Sequence, residues 1–157
     1  MNGDTAAEAE NKALIQRWFE EVWNQGRQEV IEQLRAPHAT GTGLGEGNTK
    51  TQGPAEFTVF FLNLRGTFPD LHVSIEDILA EGDKVAVRFS VEGTHSGAAL
   101  GVPPTGRKVR FSGMTITRIA GGKIVEGWNN LDQLGLLTQI GALPANPGAD
   151  RFLTVHS

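Results

Sequence analysis

The sequence predicts an α+β fold in which amino-terminal helices lie on one face of a strongly curved antiparallel or mixed sheet and enclose a pocket. Three observations carry this reading. Apolar residues recur at helical spacing over the first third of the chain, and they alternate with polar ones at strand spacing from Leu71 to Leu131. A short Leu-rich stretch after Asp132 then closes the chain with a helix. Helices followed by a meander leave the sheet one covered face, and the space between the two layers is where a cavity forms.

Each element follows from local chemistry. The first seven residues are small and polar and are expected to fray; the domain is expected over residues 8–141, with a surface tail over 142–157. Between Glu8 and Asn24, the residues Leu14, Ile15, Trp18, Phe19, Val22 and Trp23 form one apolar stripe of a helix. A second helix over Gln28 to Leu34 buries Val30, Ile31 and Leu34. The stretch from Ala36 to Gly53, with glycines at 41, 43, 45 and 47, is expected to be irregular apart from a short strand near Ala39 to Leu44. Pro54 opens a third helix, where a missing N–H costs nothing, and Phe57, Phe60, Phe61 and Leu64 give it a buried face. Leu71, Val73, Ile75 and Ile78 mark a strand that turns at Glu81-Gly82-Asp83 into a second one carrying Val85, Val87, Phe89 and Val91. Pro103-Pro104 forces the chain out of the sheet before a third long strand from Lys108 to Ile119. Gly121-Gly122 supplies a two-residue hairpin turn into the last strand. Asp132 caps the helix that buries Leu134, Leu136, Leu137 and Ile140.

Composition narrows the function. A chain of 157 residues makes one domain with room for a cavity. A net charge of −4 without a basic run argues against nucleic acid and anionic membrane surfaces as partners. No apolar run approaches the roughly 18 residues of a membrane span, and no signal peptide opens the chain, so the default expectation is a cytoplasmic protein. Zero cysteines exclude a thiol nucleophile, and zero tyrosines exclude the buried phenol that often stabilises an enolate. The four histidines are scattered without ligand spacing, and the alternate glycines miss the G-x-G-x-x-G pattern; neither a metal nor a dinucleotide cofactor is expected.

Several short motifs fall in a telling order. They are Thr67-Phe68-Pro69-Asp70-Leu71, Gly82-Asp83-Lys84-Val85-Ala86-Val87-Arg88, Gly93-Thr94-His95-Ser96-Gly97, Gly101-Val102-Pro103-Pro104-Thr105-Gly106-Arg107 and Phe111-Ser112-Gly113. With the amphipathic first helix they make the chain resemble the SnoaL-like polyketide cyclases, within the NTF2-like superfamily of α+β cones, over roughly Glu8 to Gly141. That resemblance implies a cofactor-free aldol ring closure on an aromatic polyketide ester and a homodimer. It also implies an acid/base aspartate on the last strand, helped by histidines. Aligned on Gly122-Lys123-Ile124, this chain has Asn129 in the aspartate position, Gly127 in place of one histidine and Thr115 in place of the other. An amide holds a carbonyl but has no usable pKa with which to move its proton.

The candidate catalytic residues are therefore Asn129, Asp132 and His95. Asn129 polarises or orients a ligand carbonyl, or else bonds loop backbone. Asp132 replaces the missing acid/base if burial raises its pKa, or else serves only as a helix cap. His95 moves a proton or donates to a carbonyl, or else is a satisfied residue at a loop edge. For substrate binding the candidates are Thr40 and Thr42 at the pocket mouth, Phe57, Phe61, Phe89 and Phe111 on its walls, and Thr115, Val125 and Gly127 on the sheet. Trp128 is expected with the other aromatics in the wall or core. The expected ligand is a hydrophobic carbonyl compound. A module that binds such a compound without transforming it, or a related hydrolase or dehydratase, stands beside the cyclase reading.

Overall fold

The computed structural model describes residues 3–44, 50–98 and 102–143. Helix α1, Ala6–Arg17, starts two residues before the expected Glu8 because Thr5 and Glu8 form a reciprocal capping box. From Trp18–Asn24 the helix widens to π geometry, with Gln25 N–H bonded to the Glu20 carbonyl at 2.9 Å. The wider turn lets Trp18, Phe19, Val22 and Trp23 all bury on one side. Helices α2, Glu29–Leu34, and α3, Gly53–Thr67, follow the predicted stripes, and the short α4, Gln133–Gln139, closes the chain.

Six strands make one mixed sheet: β1 Arg35–Thr42, β2 Lys50–Gln52, β3 His72–Glu81, β4 Lys84–Thr94, β5 Lys108–Ala120 and β6 Lys123–Leu131. Their order is β2-β1-β6-β5-β4-β3, and β1 against β6 is the one parallel pairing. The α+β architecture is as expected. The expectation for Ala36 to Gly53 needs correcting, because β1 begins at Arg35, directly after α2, and runs as a full strand. Its partners are β6, some 85 residues on, and β2. No local periodicity reveals a strand whose bonding groups are satisfied from so far away.

Two irregularities in the sheet set the site. Between β1 and β6 the register jumps from Arg35↔Ile124 to Thr40↔Glu126, and between β5 and β6 it shifts so that Ile119 faces Ile124 while Arg118 faces Glu126. Val125 is the extra residue of that second bulge, and a bulge reverses which side chains face which side. The core lies between the helices and the inner face of the sheet, from Ile15 and Val22 to Val85, Val109 and Ile140.

Candidate functional site

The inner face of the sheet and the aromatic helices do not meet everywhere. Between them lies a cavity of about 80 Å3 walled by Trp18, Phe19, Trp23, Phe57, Phe60 and Leu64 from the helices and by Phe89, Val91, Phe111 and Leu131 from the strands. Ring pairs brace the helical wall: Trp18 to Phe57 at 5.0 Å between centroids, Trp23 to Phe57 at 5.9 Å and Trp23 to Phe60 at 6.0 Å. The polar side chains in the lining are those of Arg35, Thr115, Thr117 and Asn129.

Asn129 reaches the cavity from the end of strand β6, two residues before Leu131. Its Nδ2 donates to the Thr42 carbonyl at 2.9 Å, which fixes the plane of the amide. Gly43, at φ +77°, lies so close to the Asn129 carbonyl that a Cβ there would stand 1.9 Å from the oxygen, so only glycine lets the chain leave β1 beside Asn129. Asn129 thus bonds backbone and also lines the cavity. Thr115, its neighbour across β5, also lines the cavity and donates through Oγ1 to the Trp128 carbonyl at 3.0 Å.

Phe57, Phe89, Phe111, Thr115 and Gly127 all line the cavity, whereas the other candidates sit elsewhere. Val125, displaced by the bulge, packs with Ala36 and Ala39 in a separate small cluster, and Ile124 takes the inward position. Phe61 is buried behind the lining against Trp23, at 5.5 Å between centroids. Thr40 and Thr42 flank the inward-facing Gly41 on β1 and are half-buried outside the lining. Trp128 is on the outer face of the sheet, for the same reason that Gly127 and Asn129 are on the inner one.

The two expected proton carriers are also outside. Asp132 is exposed, accepts from Gly135 N–H at 2.9 Å and caps α4, so no burial acts on its carboxyl. His95 is fully buried, but in the core under the loop after β4, where its ring meets Phe68 at 6.1 Å. Its Nδ1 accepts from Thr105 N–H at 3.3 Å and lies 2.9 Å from Thr105 Oγ1, which assigns the proton to Nε2; that atom has no partner. His95 is not among the residues that line the cavity.

Arg35 is the residue the sequence reading missed. It is 3% exposed, its Cζ stands 4.9 Å over the Phe57 ring, and Nε and Nη2 have no hydrogen-bond partner. Among the described residues no carboxylate pairs with it, and burial alone pushes its pKa down to about 10. A signal existed: Arg35 continues the Ile31 and Leu34 stripe of α2 by one helical step. Thr117, also in the lining, follows from Thr115 by plain alternation along β5, a signal the sequence did carry, whereas Gly41 lies on β1, whose register to β6 shifts. No group of three or more metal-ligating side chains occurs among the described residues, and no described helix is long and apolar enough to cross a membrane.

The chain matches the SnoaL-like polyketide cyclase family over residues 13–140. It is 31% identical over 132 residues to aklanonic acid methyl ester cyclase DauD of Streptomyces sp. (strain C5), covering 82% of this chain and 80% of that one. Identity to the enzyme of the same name, DnrD, of Streptomyces peucetius is also 31%, over 82% and 88%. Among solved structures, a proposed SnoaL-like polyketide cyclase from Jannaschia sp. CCS1 superimposes with a TM-score of 0.83 at 29% identity, covering 92% of this chain and all of the other. AclR of Streptomyces galilaeus, a proposed hydroxylase, superimposes with a TM-score of 0.79 at 29% identity, over 93% and 90%.

Proposed function

Since this chain belongs to the SnoaL-like polyketide cyclase family, we propose that it closes a ring, or shifts a double bond, in a hydrophobic polyketide-like carbonyl compound without a bound cofactor. The observation that carries this reading is Asn129 in the lining of an apolar cavity, with Thr115 beside it. It stands where the family resemblance puts a proton-moving aspartate, and no Asp, Glu, His or Lys is in the lining among the described residues. Asn129 then orients the reacting carbonyl. In an aldol closure the acidic proton between two carbonyls leaves to solvent, the resulting enolate carbon bonds to the carbon of a third, distant carbonyl of the same molecule as that C=O π bond opens, and the new alkoxide takes a proton back from solvent. Atoms balance, and the product is an isomer of the substrate. With no side chain in the cavity titrating near neutrality, kcat/KM should rise with pH from 5 to 9 without the bell shape that an acid/base pair imposes.

A substrate of this kind has to widen the cavity. About 80 Å3 is below the roughly 300–1,000 Å3 of most ligand pockets, and the half-buried Phe60 and Leu64 are the wall side chains with room to swing. A second reading, a module that binds without turnover, is favoured by the same absence of an acid or base in the lining. Aklanonic acid methyl ester, named for two of the relatives, is the first compound to test. Ring closure above the buffer rate, or faster exchange of its acidic C–H for deuterium, supports the enzyme; saturable binding with neither leaves the binding module. The outer sheet face exposes Leu79, Ile116 and Trp128 in one lateral row, the surface the proposed homodimer would cover; sedimentation of the free protein measures it.

A further inference from the structure

Strand pairing sets four residues side by side across the inner face: Thr51 on β2, Gly41 on β1, Gly127 on β6 and Thr117 on β5. The two central ones have no side chain, so the row is a trough floored by backbone and edged by hydroxyls. A methyl group at Gly41 would stand 2.9 Å from Thr51 Oγ1 and 3.3 Å from Arg35 Nη2. One at Gly127 would meet nothing closer than Asn129 Nδ2 at 3.7 Å. Thr51 Oγ1, Arg35 Nη2 and Arg35 Nε are all buried and all without a partner. A buried donor left unpaired is costly, and two of these, Thr51 Oγ1 and Arg35 Nη2, border the same gap in the sheet. A cation with no counter-charge in an apolar cavity leaves that charge for a ligand to neutralise.

We infer that the trough over Gly41 is an oxyanion subsite, in which the Arg35 fork and the Thr51 hydroxyl receive a delocalised anionic oxygen pair, a 1,3-dicarbonyl enolate or a carboxylate. The inference rests on the carbonyl-compound reading and adds the charge state of what is bound. Arginine is suited to this because its planar fork matches two oxygens at once, and Phe57 under the guanidinium holds that plane. In the ring closure the enolate forms as its proton leaves to solvent, and the charge appears on the two oxygens that face Arg35. The residue acts where charge develops, as an oxyanion donor does.

The test compares benzoate, methyl benzoate and 1-phenylbutane-1,3-dione on the full chain by calorimetry and ultraviolet absorbance. The expected result is benzoate bound about ten- to a hundredfold tighter than its methyl ester, together with a larger ionised fraction of bound dione than of free dione at the same pH. Arg35→Met removes both effects, while Arg35→Lys keeps part of the anion preference. Gly41→Ala fills the trough and leaves every charge in place; it weakens benzoate more than methyl benzoate. An ester that binds as well as benzoate, or a preference that survives Arg35→Met, overturns the subsite and leaves the cavity reading intact. If none of the three probes binds, the cavity reading fails and the subsite with it.

Discussion

Two polar side chains are sealed into this protein with a nitrogen unpartnered, and their surroundings differ in one respect. His95 is enclosed by core, with Phe68 against its ring and Thr105 on Nδ1. Arg35 is just as buried, but it borders a cavity and a row of missing side chains at Gly41 and Gly127. Burial without a void makes a structural residue; burial beside a void makes a place for a ligand. The sequence motifs single out the histidine, whose chemistry is familiar, and pass over the arginine, whose position is informative.

That contrast can be broken by substitution, and the largest effect is expected at His95. His95→Ala should cost about 2–4 kcal/mol through the cavity it leaves, lowering Tm by about 2–4 °C for each kcal/mol, with binding of hydrophobic carbonyl probes unchanged. Thermal melts and calorimetry on one preparation decide this; lost binding at full stability would make the histidine functional after all.

Arg35→Met should move the other way. Its folded-state pKa lies below that of the unfolded chain, so above about pH 10 the unfolded chain holds the extra proton and stability rises with pH. Below pH 10 both states are protonated and the burial penalty is constant and complete. Replacing the charge with an apolar side chain of similar length should therefore stabilise the free protein by about 1–4 kcal/mol at neutral pH while ligand binding falls. A melt at unchanged or lower temperature would mean that Arg35 has a counter-charge after all.

Asp132→Ala comes next: a cap loss of about 1 kcal/mol, with turnover of a carbonyl substrate unchanged. Reduced kcat at constant KM would return Asp132 to the chemistry. The smallest effect belongs to Asp70, whose carboxylate accepts from Thr94 N–H and Oγ1–H, both at 2.7 Å, and is held below the usual range by those bonds. A depressed carboxylate stabilises above its unfolded pKa of about 3.9, and that share is lost as pH falls through the lower folded value. Asp70→Asn should lower stability by a constant amount from pH 7 to 10 and flatten the acid limb, so that variant and parent converge as pH falls below about 4; equal stability at neutral pH would contradict it.

Much of the site was legible in sequence because it is local. The Trp18, Phe19 and Trp23 stripe, the Phe57 face of α3, the hairpin at Gly121-Gly122 and the inward Asn129 all follow from spacing along one segment. Val125 was misplaced because one extra residue in β6 exchanges the faces, and a bulge leaves no mark on an alternating pattern; Trp128 was misplaced on its aromatic character, although alternation with Asn129 already puts it on the outer face.

By itself the sequence determined the helices, the meander, the apolar wall and the absence of any cysteine or tyrosine chemistry. Those properties depend on residue type and near neighbours. Only the tertiary structure decided that β1 lies parallel to β6, that Arg35 enters the cavity and that Thr51, Gly41, Gly127 and Thr117 share one row. Partners some 85 residues apart and a shift of register determine those, and both arise from the pairing of backbones rather than from any side chain that can be read along the chain.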